Sequence, residues 1–561
     1  MDKGKDWRSI ATVSSRLPPT SDLEGRRQPG DIMIGVLLPI NSDKIYQKLT
    51  FNVRPLKTTC RLFSLEFYHR FQAFLFTVEE INKDPKILPN MTIGFQMYDT
   101  CNIPHYELQG ALQFLTDSDR IITDNQCCSR PLFSAVIGST FSANSIILAH
   151  VLGAFRYPQI SSFSGLSLLS NKRMFPSFFR TVPSDKFQSK GLAELILSFG
   201  WTWIGLVTVD TNYGLQGIQP IREEIVKAGA CVAFMEYIYL GQPDRNAPYI
   251  VKTIKESTAT VVVVFASEVE FVLILNEMVK QNVTGKIFIG NVGWARAIIL
   301  SMSTYSSILS GSLNLAFSDY VVPGLSQFLA KIDPSTSVTS KWTRMYWESV
   351  FNCKFLPENQ TISLENPVNI CTGSEHLDGI KNNSNYVSSL QSTHAMFSAV
   401  QVISKALDDL KSCKIGEGPF FNGTCANIWN FKPWQLTYYI RRVQLNINVE
   451  NGKYFDENGD PPAIFPIVNW QLKADGTLTQ VKIGSYNSNV PFPWTLTLDT
   501  SLIVWKMGRK QVPSSYCSDR CIMGFRKAAL QGKPTCCYVC VPCLQREISN
   551  QTAPIRGLKE E

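Results

Sequence analysis

Apolar positions fall into two alternating periods along this chain. Residues 31–40, DIMIGVLLPI, make a nearly unbroken apolar run, the pattern of a strand buried on both faces of a parallel sheet. Across 67–83, FYHRFQAFLFTVEEINK, the residues Phe71, Phe74, Leu75 and Val78 recur three and four positions apart, which predicts an amphipathic helix. The alternation then repeats: a strand at 92–99, a helix near 105–117, a strand at 134–138, a helix at 145–155 and a strand at 157–162. A strand at 201–210 leads through the turn Thr211–Asn212–Tyr213–Gly214 into a helix ending at about 228. CVAFMEYIYL, TVVVVFAS and KIFIG read as further strands with helices between them. Strands alternating with helices predict parallel sheets covered on both faces.

At 561 residues the chain exceeds one domain. Two α/β sheets in succession, with neither GxGxxG nor GxxxxGK[ST], predict a bilobed α/β binding protein. Its ligand rim would lie at the carboxyl ends of the strands, in a cleft that closes by hinge motion. The expected organisation is a flexible segment at 1–29, a bilobed domain at 30–495, a linker at 496–516, a partial cysteine-rich module at 517–552 and a tail at 553–561. Lobe 1 is expected mainly at 30–183 and about 310–450, lobe 2 mainly at 184–309 and about 451–495.

Fifteen cysteines change the picture, because six of them crowd between Cys517 and Cys543. Dense cysteines mean disulfides or zinc, and CYVCVPC alone fits either. Sequons at Asn90, Asn282, Asn359, Asn382, Asn422 and Asn550 are compatible with a secreted glycoprotein. The net charge of +8 is spread thinly, so no nucleic-acid partner is expected. Residues 1–30 hold no apolar h-region, and the longest apolar candidate, within 258–279, is broken by Glu268, Glu270 and Glu277. Neither a signal peptide nor a membrane span is expected in the chain as written. Only five histidines occur, with no HExxH and no GxSxG, so the reading is of a non-enzyme without cofactor or metal. DENGD (456–460) resembles a calcium loop, but Pro461 and Ile467 occupy the required Gly and Glu positions, and it reads as a turn.

Several long stretches resemble class C G-protein-coupled receptors: VIGSTFSANSIILAHVLGAFRYPQIS (136–161), FFRTVPSDKFQSKGLAELILSFGWTWIGLV (178–207), TNYG and YFDENGDPPAIFPIVNWQ (454–471). The tail CSDRCIMGFRKAALQGKPTCCYVCVPC (517–543) is similar to that family's cysteine-rich module. ILPNMTIGFQMYDTC (87–101) and EISNQT (547–552) resemble the vomeronasal type-2, calcium-sensing-receptor-like branch. The resemblance implies a Venus-flytrap fold, of the periplasmic-binding-protein type I kind, and a homo- or heterodimer packed through lobe 1. It also implies pairs Cys60–Cys101, Cys353–Cys371, Cys413–Cys425, Cys517–Cys537, Cys521–Cys540 and Cys231–Cys536, with Cys127 and Cys128 bridging protomers and Cys543 left over.

Recognising a zwitterion needs donors for its carboxylate and an acceptor for its ammonium. Ser142 opens the helical stretch after SAVIG, where backbone amides suit a carboxylate; an ordinary N-cap serine explains it equally. In the family the matching serine binds the α-carboxylate, and Asp185 and Tyr213 match positions that contact the ligand's backbone. A helix N-cap aspartate and a turn tyrosine are the plainer alternatives. Gly165, with Ser164 beside it, stands where the family has Ser or Thr, and Val292 replaces its acidic residue. Trp294 matches a cleft-lining family position or is a core tryptophan. The expected function is the extracellular region of a chemosensory, pheromone-type receptor at the plasma membrane. It would close on an amino-acid-like or peptide ligand and act on a G protein only through a membrane domain outside this chain. The alternative is a soluble decoy with the same fold, favoured if a stop codon follows Glu561 in mature transcripts.

Overall fold

A computed structural model describes residues 23–45, 52, 59–116, 132–240, 244–317, 320, 322–334, 341–355, 369–375, 393–445 and 454–543. Its first sheet has the order β1-β5-β2-β6-β7-β8. The strands are β1 (Gly25–Gln28), β2 (Ile32–Leu38), β5 (Ile93–Asp99), β6 (Leu132–Ile137), β7 (Gln159–Ser161) and β8 (Phe178–Arg180). All are parallel except β1, which pairs antiparallel on the edge. Between β2 and β5 a small hairpin, β3 (Asn41–Ile45) and β4 (Thr59–Phe63), precedes helix α1 (Leu65–Lys83). Helices α2 (Pro104–Thr116) and α3 (Ser142–Ala154) cover the opposite face from α1 and the helix His394–Lys411. Every residue of β2 is buried, as its unbroken apolar run requires when helices cover both faces.

The second sheet has the order β10-β9-β11-β12-β13-β14-β15-β16. Its parallel part is β9 (Trp203–Val209), β10 (Cys231–Ile238), β11 (Val261–Phe265), β12 (Ile287–Gly290) and β13 (Leu313–Leu315). An antiparallel part follows, β14 (Ile464–Leu472), β15 (Leu478–Asn487) and β16 (Leu496–Leu498). Helices α4 (Asp185–Ser198) and α5 (Asn212–Lys227) pack on one face, α6 (Ala247–Glu256) and α7 (Glu268–Lys280) on the other. The five residues of β11, VVVVF, are all buried, and each such side chain contributes about 1.5–3 kcal/mol of apolar burial.

Three expected boundaries move. The segment 1–29 is not flexible to its end, because Gly25–Gln28 is strand β1, paired with β5 at the edge of the first sheet. Because β13 is a strand of the second sheet, the chain returns to the first lobe after Leu315 rather than at about 310. The stretch 496–516 is not a free linker: β16 adds to the second sheet, Ile503 and Trp505 are buried in its core, and the Ser515 carbonyl accepts from the amides of Thr202 and Trp203 at 3.1 and 3.0 Å. The shift to Pro, Trp and Ser from about 490 reads as a linker, but the stretch keeps apolar residues that the second lobe buries.

Among the described residues six disulfides join Cys60–Cys101, Cys231–Cys536, Cys353–Cys371, Cys413–Cys425, Cys517–Cys537 and Cys521–Cys540, the pairs that the resemblance implies. Cys543 is unpaired; Cys127 and Cys128 lie outside the described residues. The tail forms a hairpin of β17 (Phe525–Ala529) and β18 (Tyr538–Pro542), fastened to β10 through Cys231 and Cys536. No helix among the described residues is long and apolar enough to cross a membrane.

Candidate ligand cleft

The carboxyl ends of the parallel strands carry the residues singled out by sequence. After β6, a tight turn leads into α3, whose N-cap is Phe141, a residue with no side-chain oxygen to cap the first amides. Ser142 is therefore the first helical residue rather than the N-cap. The α3 amides are left without a side-chain cap, the condition under which a helix N-terminus suits an anion. Ser142 is half-buried, and its Oγ accepts from the Leu166 amide at 3.4 Å.

The carbonyl of the same peptide group points the other way. The Gly165 carbonyl accepts from the Asp185 amide at 2.7 Å. Ser142 and Asp185 thus flank one dipeptide, Gly165–Leu166. A Cβ at position 165 would stand 2.1 Å from Asp185 Oδ1, so glycine there gives the carboxylate its place. Asp185 is the first residue of α4 and is buried. Its Oδ1 accepts from Gln188 Nε2 at 2.6 Å, whereas Oδ2 has no hydrogen-bond partner among the described residues. Burial pushes its pKa up to about 7, with Arg180 and Gln188 pulling the other way.

Gln188 carries the site into the second lobe, where its Oε1 accepts from the Val292 amide at 3.2 Å. Beside Val292, Asn291 donates from Nδ2 to the Tyr213 hydroxyl at 2.6 Å. Burial raises the Tyr213 pKa well above its ordinary value, and Asp185 and Glu270 add to the rise. Neither Gln188 nor Asn291 is among the residues that sequence reasoning singles out. The available signal for Gln188 is its position one helical turn after Asp185; Asn291 is simply adjacent to Val292.

Two expected ligand contacts are corrected. Ser164 is buried and turned inward: its Oγ lies 2.6 Å from Ser145 Oγ and donates towards the carbonyls of Ser139 and Thr140. Its hydroxyl is consumed in shaping the loop. Trp294 is fully buried, donates from Nε1 to the Val264 carbonyl at 3.1 Å and lies 4.8 Å from the Phe271 ring. It is a core residue of the second lobe and lines no cleft. The Val292 side chain packs against the apolar core beneath α4 and α5.

The lobes meet elsewhere along the opening. Ser167 of the first lobe donates to Gln216 Oε1 on α5 at 3.4 Å. Glu66 lies in the first turn of α1 and pairs with the buried Arg70 at 2.6 Å. It also faces Glu268, whose pKa rises to about 7 through burial, Glu66 and Glu270. Phe163 and Phe317 stand 6.1 Å apart, with Arg70 4.3 Å over the Phe163 ring. At the hinge, Arg180 is fully buried and pairs with Asp460 at 2.6 Å. DENGD is a turn held by Asp456 Oδ1, which accepts the amides of Asn458 and Asp460. Among the described residues no group of three or more His, Cys, Asp or Glu side chains converges as a metal site would require.

Comparison with known proteins agrees with this architecture. Residues 69–473 match the receptor family ligand binding region, and residues 512–556 match the nine cysteines domain of family 3 GPCRs. The chain is 33% identical over 551 residues to the extracellular calcium-sensing receptors of Sus scrofa and Homo sapiens, covering 94% of this chain and 51% of theirs. It is 30% identical over 535 residues to the taste receptor type 1 member 1 of Mus musculus, covering 93% of this chain and 59% of that one. The chain thus spans about half the length of the calcium-sensing receptors it matches. It belongs to the receptor family ligand binding regions, as the extracellular region of a class C G-protein-coupled receptor.

Proposed function

We propose, from that membership, that this chain is the sensing region of a vomeronasal type-2, pheromone-type receptor and closes its cleft on a small α-amino-acid-like ligand. The observation that carries the reading is the pair flanking Gly165–Leu166: Ser142 at an uncapped helix start, and Asp185 with a free buried Oδ2. The first supplies donors for a ligand carboxylate, the second an acceptor for its ammonium. With Val292 in place of an acid, Asp185 is the carboxylate of this network that meets the ammonium, which favours ligands with one strong cationic contact. The vomeronasal placement rests on the segments 87–101 and 547–552. Lobe closure passes to the tail module through Cys231–Cys536, and signalling to a G protein proceeds through a membrane domain beyond this chain. As in the family, two protomers pack through lobe 1.

The test is thermal unfolding of the secreted chain against free amino acids and short peptides. A ligand at 100 times its Kd stabilises by about 2.7 kcal/mol. A shift that disappears in both Ser142→Ala and Asp185→Ala supports the reading. A shift untouched by either substitution, or none across the panel, overturns it.

A further inference from the structure

Of the sequons within the described residues, Asn90, Asn282 and Asn422, only Asn422 directly follows an aromatic residue. It sits in the loop closed by Cys413–Cys425. Asn422 has φ 56° and ψ 32°, and Gly423 has φ 71°. Two successive positive φ values make the tight turn that Asn-Gly prefers. The Thr424 amide donates back to the Phe421 carbonyl at 3.3 Å, and the Thr424 hydroxyl donates to the same carbonyl at 2.9 Å. Phe421 and Thr424 are therefore the two ends of the turn, with Asn422 and Gly423 at its corner.

The two phenylalanines before the asparagine are divided. Phe420 packs inward, 5.3 Å from the Trp434 ring and 5.6 Å from Tyr438. Phe421 is 85% exposed, yet the disulfide and the turn hold its backbone in place. The turn therefore holds an exposed aromatic face directly before the sequon asparagine, a surface on which a sugar can stack. We propose that Asn422 carries an N-linked glycan whose first N-acetylglucosamine lays its apolar face on the Phe421 ring. The chemistry is that of a sequon: Nδ2 of Asn422 attacks the anomeric carbon of a lipid-diphosphate-linked oligosaccharide. The new N–C bond forms as the C–O bond to phosphate breaks. The lipid diphosphate leaves with the bonding pair, and the amide gives one proton to solvent. The axial C–H groups of the sugar then meet the electron-rich face of the ring. This inference rests on the extracellular reading but not on the ligand cleft, so failure of either leaves the other standing.

The experiment expresses the chain behind a signal peptide in a glycosylating cell, as the parent, Asn422→Gln, Phe421→Ala and the double variant. Glycopeptide mass spectrometry reads occupancy and thermal unfolding reads stability. The expected result is a glycan at Asn422 and a lower Tm when Asn422→Gln is made in the parent, with no such drop when it is made on top of Phe421→Ala. Trimming the parent's glycans to single N-acetylglucosamines should leave Tm unchanged, and Phe421→Tyr should preserve the dependence on Asn422. An unmodified Asn422, or an equal drop with and without Phe421→Ala, overturns the proposal. The second outcome would leave Phe421 as a surface for something other than sugar.

Discussion

Gly165 and Asp185 are built against each other: the glycine carbonyl receives the aspartate amide at 2.7 Å, and the missing Cβ is the space that the carboxylate fills. Gly165→Ala should therefore push the carboxylate off Gln188 Nε2 while leaving the fold nearly intact, because the obstructing atom is a side-chain end that can rotate. The expected outcome is a Tm within a few degrees of the parent and at least about a tenfold loss in amino-acid affinity, roughly 1.4 kcal/mol. Calorimetric titration checks it, and affinity equal to the parent's would show that Asp185 is not placed by this contact.

The same carboxylate sets a pH dependence with two opposite signs. Its pKa is raised by burial to about 7, above its value in the unfolded chain. The unliganded protein therefore holds this contribution in full in acid, below the unfolded pKa near about 4, and loses it as pH rises through about 7. A ligand ammonium requires the ionised form, so affinity should rise as pH increases through about 7 and then level off. Asp185→Asn should flatten both trends. Binding measured from about pH 5.5 to about 8.5 decides the matter, and a profile unchanged in Asp185→Asn would assign the titration to another group, Glu268 being the nearest candidate by its own raised pKa.

The parallel strands are legible in the sequence because burial on both faces forces apolar runs such as β2 and β11. The antiparallel additions are not. β15 has one flank half-exposed, and its sequence LTQVKIGSYN mixes the two faces, so its period is weak. Asp185, Tyr213 and Ser142 are singled out through motif resemblance. For Trp294 the sequence leaves cleft and core both open, and it sets Ser164 beside the site, because position beside a site says nothing of which way a side chain turns. Gln188 and Asn291 belong to no motif of their own, and their spacing from Asp185 and Val292 gains meaning only once the fold brings them together.

The tail module is tied to the second lobe at one covalent point. Cys231 and Cys536 are 305 residues apart in the chain, and around them Trp203, Ala259 and Cys537 make a small buried cluster. Replacing both cysteines by Ser should leave ligand affinity in this chain within about twofold. It should increase protease cleavage between 516 and 543 and remove about 2–5 kcal/mol of stability. Grafted into a complete receptor, the same change should abolish ligand-driven signalling. A double variant that signals normally would mean that the noncovalent contacts of Ser515 and Trp505 suffice.

Arg180 and Asp460 join two of the segments that pass between the lobes. The guanidinium has no solvent exposure; besides Asp460 it donates to the carbonyls of Leu166 and Ser164 at 2.9 and 3.2 Å. Those carbonyls belong to the loop that carries Gly165, so the ion pair supports the ligand site from behind. Removing one partner leaves a buried charge without compensation, typically about 3–5 kcal/mol. Asp460→Asn should cost about that much in chemical denaturation, because the neutral amide keeps the shape and loses the charge. Arg180→Met should cost less than Asp460→Asn if desolvation dominates, since it removes the ion that is hardest to bury. The double variant Arg180→Met with Asp460→Asn should then be more stable than Asp460→Asn alone, the non-additivity expected of one coupled unit. Additive losses would show that Arg180 acts through its carbonyl contacts and that Asp460 is held mainly by Ser170, whose hydroxyl donates to Oδ2 at 2.7 Å.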